Sequence, residues 1–307
     1  MALTYNQINA ITHDKFMPKL ADNIFDSNPL LYDMKKGEGY KKINGGNQII
    51  CPLEYAVMSA AGTYSGADVL STTDNESFSG AVYQWKQYYA NISINGLDEL
   101  KNSGDAQVID FVKSKVKNAE KTLASLLGDG LYSAGTDAKA LAGLRVMASA
   151  SNTVGGISQT DYSWWRPQLN TSATPVTLAL LKTGLEAATV DNEKPSIITT
   201  TRTLSNAIWG LMQPQQRFTD SKRASAGFEN ILVNGVPVVA DSHCPSSHLF
   251  MLNYNSLFLG VHSKRDMEFV PFQKPVNQDV KSAKVLWAGA LCFNNLRLNA
   301  AFTALTA

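Results

Sequence analysis

Residues 234–253, NGVPVVADSHCPSSHLFMLN, hold two of the chain's four histidines and one of its three cysteines. His243 and His248 have the four-residue gap used by structural zinc sites, and Asp241 would add an oxygen ligand. Such a site needs four ligands, and Cys51 and Cys292 lie far away in sequence. A thiol nucleophile at Cys244 would need a histidine within hydrogen-bond reach and a third group to orient it. His243 and Cys244 are consecutive, and consecutive strand residues point to opposite faces. The cluster therefore reads as loop or interface packing, with Cys244-Pro245 turning the chain between two strands.

Other chemical signatures fail on spacing. GTYSG, residues 62–66, places its serine one position too late for a nucleophile elbow, and no helix follows it. GDGLYSAG, residues 128–135, lacks the Gly-Lys-Ser/Thr ending of a phosphate loop. Trp164 and Trp165 beside Arg166 offer a stacking platform for single-stranded nucleic acid. With no basic groove around them, burial of apolar area is the better reading. No catalytic residue, cofactor-binding residue or metal ligand is assigned, and no cofactor is expected.

Composition agrees with that. The chain has 307 residues, 44% hydrophobic and 17% charged, with a net charge of +1. This describes a globular protein and favours neither a polybasic membrane binder nor a nucleic-acid binder. No apolar run approaches the ~20 residues that cross a bilayer, so no membrane partner is expected. The N-terminus lacks the order of a signal peptide. An odd number of widely spaced cysteines is no disulfide framework and suits a reducing cytoplasm.

The elements that position these residues can be read from periodicity. Residues 1–50 read as an arm, with a short helix around Phe16, Leu20, Ile24 and Phe25 that Asn28-Pro29 stops. QIICPLEYAVMS and AVYQWKQYYANISI read as two long strands, the second of about 14 residues. The segment between them is polar and acidic, with no Lys or Arg, so the pair makes an extended hairpin. A lone hairpin is marginal in water and needs a partner surface. Residues 104–128 predict one long helix, with Ile109, Val112, Val116, Ala119, Leu123 and Leu126 as its stripe and Gly128 as its end. Its lysines, Lys113, Lys115, Lys117 and Lys121, read equally as a solvated face or as weak phosphate contacts. Thr174-Pro175 predicts the opening of a second helix bearing Leu178, Leu181, Leu185 and Ala188. PSIITT reads as a buried strand, TLSNAIWGLMQPQ as a third helix, and RFTDSKRASAGFEN as a basic loop. ILVNGVPVVAD is a hairpin turning at Asn234-Gly235; HLFMLN, SLFLGVH and the last forty residues are strand-rich. Helices and strands mix without βαβα alternation, so the fold class is α+β.

Four stretches in order resemble major capsid proteins of tailed bacteriophages with the Hong Kong 97 fold. They are ALAGLRVM, then VGGISQTDYSWWRPQ, then QPQQRF followed by GFENILVNGVPVVADSHCP, then LFMLNYNSLFLGV. The resemblance implies a Hong Kong 97-like capsid fold with an N-arm (1–48), an E-loop hairpin (49–95) and an axial domain (174–262). The peripheral domain would comprise 96–173 and 263–307, with the spine helix at 105–127. It implies a noncatalytic shell subunit, located in the virion and assembled in the host bacterial cytoplasm as pentamers and hexamers around double-stranded DNA. An encapsulin-like nanocompartment shares the fold, and a hydrolase or metalloprotein using His243, Cys244 and His248 is the competitor from another class.

The partners implied are other copies of the chain, packaged DNA by non-specific contact, and a portal and cement proteins. Only about fifty residues precede the hairpin, so any scaffolding protein is expected to be separate. The expected inter-subunit residues are Gly62, Tyr64, Asp68, Asp74, Glu76 and Phe78 at the tip. Tyr83, Trp85 and Tyr88 follow at the root, and Arg217, Lys222 and Arg223 in the basic loop. Some relatives weld subunits through an E-loop lysine; residues 56–85 contain no lysine, so noncovalent cohesion is expected.

Overall fold

The computed structural model describes residues 28–73, 75–101, 111–212, 231–275 and 277–307. The arm helix around Phe16 to Phe25, the first residues of the long helix, Asp74 and the basic loop with Arg217, Lys222 and Arg223 lie outside these. The chain divides into two compact units. Of the described residues, those within Tyr89–Leu123 and Phe269–Val285 form the smaller, and those within Ser27–Tyr88, Ala124–Glu268 and Leu286–Ala307 form the larger.

The larger unit contains a six-stranded sheet. Its order is Ile231–Val233, Val236–Ala240, Ile197–Thr200, Leu249–Leu252, Ala300–Phe302 and Gln168–Asn170. The first two strands form the expected hairpin. Asn234 (φ 50°) and Gly235 (φ 79°) both have positive φ, as the tight turn matching strand twist demands. Ile197–Thr200 runs parallel to Val236–Ala240 and antiparallel to Leu249–Leu252. Both of those central strands are buried at every position, which explains their unbroken apolar or Thr-rich runs. Alternation decides the faces. Leu249 and Met251 join Leu181, Leu185, Leu204 and Ile208 from helices Leu178–Ala187 and Arg202–Met212 in one core. Phe250, between them, meets the Tyr132 ring at 5.9 Å.

One expected helix start moves. Thr174–Pro175 is a short strand parallel to Leu305–Thr306, and the helix begins only at Leu178. Thr177 caps it, its hydroxyl accepting from the Leu180 amide at 3.2 Å. A free Thr side chain at that position satisfies an orphan amide, which Pro at the first turn does not.

A second strand set carries the arm. Tyr40–Ile43 lies parallel to Leu257–His262, which lies antiparallel to Val280–Phe293. Glu268–Gln273 and Lys86–Asn95 also pair with Val280–Phe293. Asn28-Pro29 does not stop a helix; it starts one, Pro29–Lys36. Asn28 Oδ1 accepts from the Leu31 amide at 3.0 Å, and Pro29 fills the first helical position. The extended conformation that proline imposes on its predecessor is the conformation a capping residue needs.

In the smaller unit, Ala90, Ile92 and Ile94 alternate inward along Lys86–Asn95. Lys115 Nζ donates to the Ser93 carbonyl at 2.8 Å, and the Gly96 amide donates to that of Asp279 at 3.0 Å.

The long helix is described over Phe111–Leu131 and passes through Gly128, where its end was expected. Its buried stripe is Ala119, Leu123, Leu127 and Leu131, an unbroken i, i+4 series. Leu126, expected on that stripe, is 41% exposed, and Leu127 takes its place at 1%. The connection that follows buries Trp165, whose indole donates to the Val154 carbonyl at 3.0 Å. Among the described residues no helix is long and apolar enough to cross a membrane.

Candidate assembly surface

Ile49–Glu54 and Phe78–Tyr83 form a two-stranded antiparallel ribbon, with Ile49 opposite Tyr83 and Glu54 opposite Phe78. Both strands are shorter than periodicity predicts. The first ends at Glu54, and the second breaks at Gln84-Trp85 before resuming as Lys86–Asn95. The break has a local cause: Trp85 turns aside, its indole donating to the Gly46 carbonyl at 2.9 Å and its ring lying edge-on to His262 at 5.5 Å.

The root is anchored inside the chain. Tyr83 is buried, its phenol donating to the Phe293 carbonyl at 3.1 Å, and burial raises its pKa well above the usual value. The Val82 amide donates to the Gly155 carbonyl at 2.8 Å. Tyr88 accepts from the Leu141 amide at 2.9 Å and meets Trp287 edge-on at 5.8 Å; burial raises its pKa too. Tyr55, just past the first strand, stacks on Trp164 at 4.9 Å. Tyr83, Trp85 and Tyr88 thus serve the ribbon's own anchorage in this chain.

Beyond Glu54 the ribbon loses its ladder. Residues 55–77 are held by sparse local bonds: Tyr55 amide to Ser77 carbonyl (3.0 Å), Asn75 Nδ2 to Val57 carbonyl (3.2 Å) and Ser65 amide to Asp68 Oδ2 (2.8 Å). Gly62, Tyr64, Asp68, Glu76 and Phe78 are all exposed. The larger apolar area comes from residues that the sequence reading did not single out. Val57 is 89% exposed and Val69 98%, with Met58, Leu70 and Ile50 also exposed. Their signal was legible: two apolar pairs, at 57–58 and 69–70, stand in an otherwise polar segment.

The histidine–cysteine stretch sits elsewhere in the larger unit and is organised by Asp241. This carboxylate is buried, accepting from the His243 amide at 3.0 Å and from the Tyr132 phenol at 3.1 Å. Burial raises its pKa, and the amide and charge of His243 work against that rise. His243 itself turns to the long helix, Nδ1 lying 2.8 Å from Asp129 Oδ1. Burial, and next Asp241, push the Cys244 thiol up, so it keeps its proton at neutral pH. His248 offers Cys244 only a backbone carbonyl, 3.7 Å from the sulfur. His243, Cys244 and His248 therefore point to different partners. The GTYSG stretch lies on the exposed tip, and the GDGLYSAG stretch begins inside the last turn of the long helix. Neither makes a strand–turn–helix site.

No family model and no curated protein matches this chain. Its fold does match solved structures along its whole length. The capsid asymmetric unit of cyanophage A-1(L) has a TM-score of 0.71 at 19% identity, covering 99% of this chain and 100% of that one. The capsid of a native GTA particle has a TM-score of 0.70 at 11% identity, covering 99% and 100%. The holo-SrpI encapsulin complex from Synechococcus elongatus PCC 7942 has a TM-score of 0.63 at 10% identity, covering 99% and 96%.

Proposed function

The chain has a Hong Kong 97-like capsid fold, and from that premise we propose that it is the major capsid subunit of a phage head, a structural protein and not an enzyme. Many copies assemble as pentamers and hexamers into a closed shell around double-stranded DNA. The ribbon is the E-loop, which lies on a neighbouring subunit, and the arm is the N-arm. The single observation that carries this reading is the ribbon tip: Val57, Met58, Val69, Leu70 and Phe78 are exposed on a segment without a core of its own. Docking on a second copy removes that area from water, so folding of the tip and assembly become one process. Residues 56–80 contain acids and no basic residue. A basic surface on the neighbour is their natural complement, and the sequence around Arg217, Lys222 and Arg223 carries matching charge. With no lysine at residues 56–85, cohesion is noncovalent.

An encapsulin-like shell is the second reading, favoured by the likeness to the SrpI complex. Expression of the full chain, alone and with candidate scaffolding proteins, followed by electron microscopy, tests the proposal. Closed shells with nuclease-protected DNA in infected cells support a phage head. Shells holding one protein cargo support the second reading. A monomer that stays monomeric at high concentration under every condition sinks both.

A further inference from the structure

Three asparagines of this chain are followed by glycine: Asn44, Asn95 and Asn234. Such a pair is a chemically weak linkage, because a glycine with no Cβ lets its own nitrogen approach the preceding side-chain amide. All three asparagines are exposed, so access to water does not rank them. Local restraint does. At Asn95 the attacking nitrogen is engaged, the Gly96 amide donating to the Asp279 carbonyl at 3.0 Å. The Asn95 side chain is engaged too, Oδ1 accepting from the Leu97 amide at 3.3 Å. At Asn234 the two-residue turn is closed by the pairing of Val233 with Val236. Both turn residues sit at positive φ, and closing a ring there would require the asparagine backbone to rotate out of the turn.

Asn44 lacks these restraints. Residues 44–48 join the strand Tyr40–Ile43 to the first ribbon strand, Ile49–Glu54. Gly45 (φ 75°) and Gly46 (φ 96°) follow one another, and a methyl added to Gly45 would meet nothing within 4 Å. Among the described residues none hydrogen-bonds the Asn44 side chain or the Gly45 amide. The joint is tied down one residue later, where the Gly46 carbonyl accepts from the Trp85 indole at 2.9 Å. That bond holds the tryptophan at which the second ribbon strand breaks.

We propose that Asn44-Gly45 is a site of spontaneous deamidation that loosens the joint between the strand Tyr40–Ile43 and the ribbon. The Gly45 nitrogen attacks Asn44 Cγ and closes a cyclic imide. The bond from Cγ to the side-chain nitrogen breaks, and that nitrogen leaves as ammonia with the proton given up by Gly45. Water then opens the imide at either carbonyl, giving aspartate or isoaspartate, with no oxidant or cofactor involved. Isoaspartate carries the main chain through the side chain and so lengthens it by a methylene, immediately before the carbonyl that holds Trp85. Both products place a carboxylate where a neutral amide stood. The site rests on the fold alone and holds whatever the shell encloses.

Incubation of the folded full-length protein in mildly alkaline buffer, then peptide mapping with isoaspartate detection, tests it. Asn44 converts about tenfold or more faster than Asn95 and Asn234, because those two react only after local opening. In denaturant the three rates converge to within about threefold, since only the fold separates them. Hydrogen exchange across Ile49–Glu54 quickens by about threefold or more in the converted protein. Asn44→Gln removes the early conversion and the quickened exchange together. Native conversion at Asn95 or Asn234 that matches Asn44, or a preference for Asn44 as large in denaturant as in the folded chain, overturns the proposal. Conversion with unchanged exchange overturns the loosening. Because the map of the parent protein alone decides the site, a variant that fails to fold does not rescue it.

Discussion

His243 Nδ1 lies 2.8 Å from Asp129 Oδ1, joining the turn after the Asn234-Gly235 hairpin to the last turn of the long helix. The ring reaches that position by crossing the helix over Gly128. A methyl there would meet His243 Cδ2 at 2.6 Å and Asn28 Nδ2 at 2.7 Å.

A helical glycine ordinarily costs ~1 kcal/mol relative to alanine. At Gly128 the sign reverses: Gly128→Ala is expected to destabilise by about 1–3 kcal/mol, because the ring and the amide must both shift. At Gly210, in the helix Arg202–Met212, an added methyl meets nothing within 4 Å. Gly210→Ala is expected to stabilise by ~0.5–1 kcal/mol. Thermal unfolding of both variants checks the pair; equal signs would refute the packing account of Gly128.

Asp241 carries a pH signature. Its pKa is raised by burial, so the folded state holds its proton more tightly than the unfolded state. Its contribution to stability is then present at low pH and is lost as pH rises from about 4, the unfolded value, through the raised folded value. Asp241→Asn removes this term, so the difference in stability between variant and parent should shift in favour of the variant across that window. Chemical denaturation at a series of pH values measures it, and a constant difference contradicts it.

Tyr83→Phe removes a buried donor and leaves the Phe293 carbonyl without it. A loss of about 1–2 kcal/mol is expected, with little change in secondary structure. Faster hydrogen exchange along Phe78–Tyr83 should accompany the loss. Unchanged exchange would mean the phenol is not part of the anchor.

Val57→Ser with Val69→Ser separates folding from assembly. Both side chains are almost fully exposed, so the stability of the isolated chain should stay within ~0.5 kcal/mol of the parent. Particle yield, read by light scattering and electron microscopy, should fall sharply. Normal yield would remove the tip from the interface.

Much of this molecule is legible locally. The Asn234-Gly235 turn follows from residues that accept positive φ, and the buried strands at 197–200 and 249–252 follow from short apolar or Thr-rich runs. The long helix follows from its 3-4 spacing. The anchoring side chains were harder. Periodicity runs straight through Gln84-Trp85, and only the carbonyl of Gly46 explains why the strand stops there. The apolar pairs of the tip were visible but carry no period, so no pattern brought them forward.

The sequence by itself determined the type of most elements but not their ends, the α+β class, the acidic lysine-free tip and the low charge, because these depend on neighbours within a turn or a strand. Only the tertiary structure decided that Leu127 and not Leu126 is buried, that Asn28-Pro29 opens a helix, and that Tyr83 reaches the Phe293 carbonyl. The physical reason is the range of the interactions. Side-chain period and backbone sterics act over a few residues, whereas which surface lies opposite is set by strand pairing between distant parts of the chain.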